Sequence, residues 1–199
     1  MALTDEQAIR YRLYVAASNA VDLISIAGGW LADRALAGWD VTGFIANHHD
    51  GRPLRILGVD AVQFQSARDL RDRYAAHSLA VTPGLYQQDE RIRTRVSRAI
   101  TLGEPELIFL GDSYPPGLRG KPMKVHHQCS VAARAFKRHA LEAAGGSADT
   151  VTEHEVFFSW PTSRISPADY ATRSRTKSAA RRPPEGISRG WRGISAPFA

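Results

Sequence analysis

Cysteine is almost missing from this 199-residue sequence, which has Cys129 alone. An internal disulfide is thereby excluded, and a reducing cytoplasm is the expected compartment. A membrane-spanning helix needs about 18 or more consecutive apolar residues. The best stretch, residues 20–39, is interrupted by Asp22, Asp33 and Arg34. The N-terminus, "MALTDEQAIR", has no basic segment followed by an apolar one, so no secretion signal is expected. Lysine is scarce as well, 4 residues against 22 arginines. That bias is what a GC-rich bacterial genome produces, and it weakens any argument from arginine number alone.

Metal and nucleotide motifs are equally sparse. The sequence has no Cys-x-x-Cys, His-x-x-x-His or His-Glu-x-x-His. His48-His49-Asp50 and His126-His127 are adjacent pairs, and neighbours on a strand point to opposite faces, so each pair offers one ligand to one site. Gly28-Gly29 falls inside a helical pattern, and "GRPLRILG" (51–58) lacks the lysine and hydroxyl of a phosphate loop. Neither a metal nor a cofactor is expected.

What is present is an ordinary soluble composition, 43% hydrophobic and 23% charged. The net charge of +6 resides entirely after residue 159, where eight basic residues face Asp169 and Glu185. A globular domain is expected over 1–159 and a basic, disordered or partner-dependent tail over 160–199.

Along the body, Thr4 to Gln7 form a capping box ahead of a helical stripe running from Ile9 to Ala35, with a kink at Gly28-Gly29. "WDVTGFIANH" and "PLRILGV" read as two strands joined by an Asp50-Gly51 hairpin. Helices are predicted over about 61–76, 88–102 and 127–144, and "SLAVTPG" is a weak strand or loop. "ELIFL" (106–110) is the best buried strand, and "EHEVFFSW" (153–160) is the last. Glu153 and Glu155 are expected on an exposed acidic face. The pattern predicts a single-domain α/β layered sandwich, a mixed sheet of about four or five strands flanked by about four helices.

Two functional readings follow. Arg91, Arg95 and Arg98 share one face of a helix, without acidic partners at helical spacing, and Arg134, Lys137 and Arg138 form a second basic patch. With Arg173, Arg175, Lys177, Arg181, Arg182, Arg189, Trp191 and Arg192 of the tail, they could grip a polyanion and stack a base. This favours a non-enzymatic module that binds nucleic acid or another polyanion; a partner protein that orders the tail is the other binding option, and no membrane partner is expected.

The second reading starts at Gly111-Asp112-Ser113, directly after "ELIFL". This turn resembles the nucleophile block of the GDSL/SGNH hydrolases. The resemblance implies a small serine hydrolase with Ser113 as nucleophile, Asp112 in the turn and His126 or His127 as base. It covers three residues, and the sequence has neither the Asp-x-x-His pair nor the Gly-x-Asn-Asp block of those enzymes. Ser113 is therefore expected to be a turn residue.

Overall fold

The computed structural model describes residues 10–47, 50–65, 76–103 and 105–160. Their element order is β1 (Arg12–Ala17), α1 (Ala20–Leu36), β2 (Asp40–Ile45), α2 (Arg52–Ile56), β3 (Asp60–Gln63), β4 (Ser78–Val81), α3 (Pro83–Gln88), α4 (Glu90–Leu102), β5 (Glu106–Leu110), β6 (Met123–Gln128), α5 (Val131–Ala143) and β7 (His154–Trp160). The seven strands form one sheet in the order β3-β2-β1-β4-β5-β7-β6. The first five are mutually parallel, while β7 runs antiparallel between β5 and β6. The α/β class is as expected, with more strands than expected.

Alternation along each strand divides the apolar residues between two cores. Leu13, Val15, Ala17, Ile108 and Leu110 join α1, α2 and α5 on one face. Tyr14, Ala16, Leu107 and Phe109 join α3 and α4 on the other. A sheet covered on both sides needs continuous apolar strands, which "LYVAA" and "ELIFL" supply.

Four elements differ from the sequence reading. Residues 12–17 are a strand rather than part of the first helix, because burial on both faces favours an extended run; Asn19 then begins α1. The Thr4–Gln7 capping box lies outside the described residues. Asp50-Gly51 makes no hairpin: Pro53 opens α2, and β2 and β3 are parallel. Residues 60–63 form β3 on the sheet edge, and residues 123–128 form β6, so α5 starts only after its Ser130 cap.

Gly28-Gly29 does not split α1. Glu155 reaches across from β7 and accepts the amides of Gly29 (2.8 Å) and Trp30 (2.7 Å). Lys137, from α5, donates to Glu155 Oε1 (2.7 Å) and to the Ser25 carbonyl (2.7 Å), the group one helical turn before Gly29. Both charges are buried, with side-chain exposures of 1% and 2%. The glycines admit this approach: a Cβ on Gly29 would lie 2.5 Å from Cys129 Sγ. The expected exposed acidic face is corrected at Glu155, which is buried; Glu153 is exposed and pairs with Arg134 at 2.7 Å.

Cys129 sits in this same layer. Burial, reinforced by the nearby Glu155 charge, pushes its thiol up to about 12. The thiolate is the reactive form, so the thiol stays neutral and inert at physiological pH. Iodoacetamide is expected to label the native chain far more slowly than the chain in denaturant, as read by intact mass. Comparable rates would show that the residue is reachable.

Candidate functional site

The strand order reverses at β1. From β1 the chain passes through α1 to β2 on one side, while β4 occupies the other. In open α/β sheets the crevice outside the carboxyl ends of the strands, at such a switch point, is where ligands bind. Here it is bordered by Ser18-Asn19 after β1, Asn47 after β2, Thr82-Pro83-Gly84 after β4, and the Gly111 turn after β5.

Asn19 is extended (φ −148°, ψ 167°) and starts α1: its Oδ1 accepts the Asp22 amide at 2.8 Å, and its Nδ2 donates to Asp22 Oδ2 at 2.6 Å. The Ser18 carbonyl accepts the Asn47 amide at 2.8 Å, tying β1 to β2 just past their ends. The Ser18 hydroxyl is different. Its Oγ is buried and has no hydrogen-bond partner among the described residues. An unsatisfied buried polar group costs about 1–3 kcal/mol. Gly84 borders it: a Cβ there would stand 3.9 Å from Ser18 Oγ. At the same edge of the sheet, a cavity of about 210 Å³ is lined by Asn19, Ile45, Asn47, Asp50, Pro53 and Ala144, among others, but not by Ser18. Asp50 is held below the usual carboxylate range by the Arg52 amide and guanidinium.

The predicted serine-hydrolase residues do not assemble. Asp112 and Ser113 are exposed in the turn after β5, and Gly111 takes the positive φ (99°) that the turn requires. His126 and His127 lie on β6, with β7 intervening, and neither bonds to Ser113. His127 instead meets Asp33, Nε2 to Oδ2 at 2.8 Å. Burial pushes Asp33 up, but hydrogen bonds from His127 and from the Ser130 hydroxyl and amide prevail and leave it below its ordinary value.

Of the basic residues in the two helix patches, Arg91, Arg134 and Lys137 are engaged within the fold. Lys137 is buried on Glu155, Arg134 bonds Glu153, and Arg91 bonds Asp89 at 2.6 Å and the Gln65 carbonyl at 2.6 Å. Arg91 also lies over the Phe64 ring. Arg95 and Arg98 are on α4 and Arg138 on α5. Arg173, Arg175, Lys177, Arg181, Arg182, Arg189, Trp191 and Arg192 lie outside the described residues, as do His48 and His49.

Sequence reasoning missed Ser18, Asn19, Asn47 and Gly84. The available signal was "LYVAASN", a short apolar run closed by a helix-capping residue.

Strand order and helix placement together define a doubly wound α/β protein with its switch point at β1. No protein-family model and no curated protein matches the chain. Solved structures do. A zinc-inhibited form of teicoplanin deacetylase Orf2 aligns with a TM-score of 0.54 and 13% identity, covering 78% of this chain and 100% of that one. GalB, the 4-carboxy-2-hydroxymuconate hydratase from Pseudomonas putida KT2440, gives 0.51 and 13%, covering 89% and 100%. The A40926 pseudoaglycone deacetylase Dbv21 gives 0.50 and 14%, covering 79% and 100%. At these identities the likeness establishes the fold. The expectation of a non-enzymatic polyanion-binding module is corrected here: the three solved structures just named are enzymes, and Arg91, Arg134 and Lys137 are engaged within the protein.

Proposed function

We propose that this protein is an enzyme that brings water to a small polar organic substrate held at the carboxyl edge of its sheet, beside Ser18. The observation that carries the reading is the buried, unpartnered Ser18 hydroxyl at the switch point. A hydroxyl can both donate and accept, and none of the described residues pairs with this one. The structural neighbours support the reaction class. Hydrolytic removal of an acetyl group and hydration of an unsaturated acid both use water as co-substrate. Ser18 is assigned to substrate binding, since no described histidine lies at that edge beside it to act as its base.

The test is incubation of the full chain with small N-acetylated amines and unsaturated carboxylic acids, with mass spectrometry for hydrolysis or the gain of one water. Turnover is expected for a member of one set. Ser18→Ala should lower kcat/KM about tenfold, the worth of one hydrogen bond at about 1.4 kcal/mol. Activity unchanged by Ser18→Ala, or no turnover and no perturbation of Ser18 by any of these compounds, would overturn the proposal.

A further inference from the structure

One structural neighbour is known in a zinc-inhibited form, and zinc is a common partner of water in hydrolytic chemistry. Whether this chain could hold such an ion is a question of ligands. A catalytic zinc takes about three protein ligands from His, Cys, Asp and Glu. The described residues contain no group of three that could hold a metal.

The reason is visible in what the strands end with. β1 leads into Ser18-Asn19, β2 into Ala46-Asn47 and β4 into Thr82-Pro83-Gly84, all uncharged. Of the acids near this edge, Asp22 is engaged by Asn19 at 2.6 Å and Asp50 by Arg52 at 2.8 Å, and Asp112 is exposed in the turn after β5. The described imidazoles are elsewhere. His77 precedes β4 at the opposite edge, where its Nδ1 accepts the Arg12 amide at 3.1 Å. His126 and His127 sit four strands from β1, about 19 Å at ordinary strand spacing, and His154 three strands away, about 14 Å. His139 is exposed on α5, 3.4 Å from Glu142. Cys129 is buried behind Gly29.

We infer that this chain holds its ligand at the carboxyl edge without a divalent metal ion, through the neutral groups of Ser18, Asn19 and Asn47. The location rests on the proposed substrate site. The selectivity follows from chemistry: amide and hydroxyl groups hydrogen-bond a polar substrate but are poor ligands for zinc.

The experiment uses the full chain, purified without a metal-affinity column. Metal content is measured by mass spectrometry, zinc binding by calorimetric titration, and melting temperature with zinc or EDTA. Far less than one zinc per chain is expected, with no saturable binding heat and no melting shift from either addition. One tightly bound zinc per chain, or a melting point that EDTA lowers by several degrees, would overturn the inference. If that zinc disappears in His48→Ala/His49→Ala, the inference fails and the ligands lie just past Asn47. Zinc-dependent turnover that Ser18→Ala reduces would overturn the metal-free inference while upholding the enzyme proposal. A metal-free chain that turns over nothing would do the reverse.

Discussion

Replacing Glu155 with alanine is expected to remove about 3–5 kcal/mol of folding stability, because it strands the Lys137 ammonium in the core. Lys137 is 1% exposed. Without Glu155 the Ser25 carbonyl remains as its described hydrogen-bond acceptor. The two partners are not equivalent. Lys137→Met removes one charge but leaves Glu155 accepting the Gly29 and Trp30 amides at 2.8 and 2.7 Å, so its loss should be the smaller. Glu155→Gln retains a carbonyl oxygen for one of those amides and should fall between the two. Urea denaturation gives all three values, provided the slope is unchanged. Glu155→Ala within about 1 kcal/mol of wild type would show that the pair contributes little.

This pair marks where the sequence stops being legible. "ELIFL" was readable because a run of apolar residues between breakers has few other fates, and α4 because Ile92, Val96 and Ala99 keep the helical period and are buried together. β1 was not, because Leu13, Ala16 and Ala20 also satisfy helical spacing; burial on both sides of a central strand decided the matter, and that depends on β2 and β4. Asp50-Gly51 resembled a hairpin, although Pro53 two residues later was the better signal for a helix start. Lys137 and Glu155 read as two solvated charges, since nothing local indicates that α5 and β7 both cross α1 at its glycines. The site was hidden for the same reason. Ser18 gains its meaning from the adjacency of β1 and β4, which are separated by 60 residues from Ser18 to Ser78 and are paired only in the fold.

Gly29→Ala should reveal how closely those elements meet. In an exposed helix this change would stabilise by about 1 kcal/mol. Here the new methyl would stand 2.5 Å from Cys129 Sγ, 3.1 Å from Glu155 Oε1 and 3.2 Å from Cys129 Cβ. The sulfur is buried and cannot swing into solvent, so overpacking should win and leave a net loss of about 1–3 kcal/mol. Cys129→Ala removes the worst of these contacts. In that background the same glycine substitution should lose much less, giving a coupling of about 1 kcal/mol or more in a double-mutant cycle. Gly28→Ala is the control. Its methyl would meet Ile24 Cγ2 and Lys137 Cγ, both at 3.1 Å, with the sulfur not among its three nearest atoms. Those contacts ask neighbours to move by a few tenths of an ångström, so Gly28→Ala should be milder, and Cys129→Ala should not rescue it. An additive cycle for Gly29→Ala, or a Gly29→Ala protein as stable as wild type, would mean that α1 can slide away from Cys129. In that case the Glu155 hydrogen bonds do not fix the helix against the sheet, and the smaller losses for Glu155→Ala should be found in the same titrations.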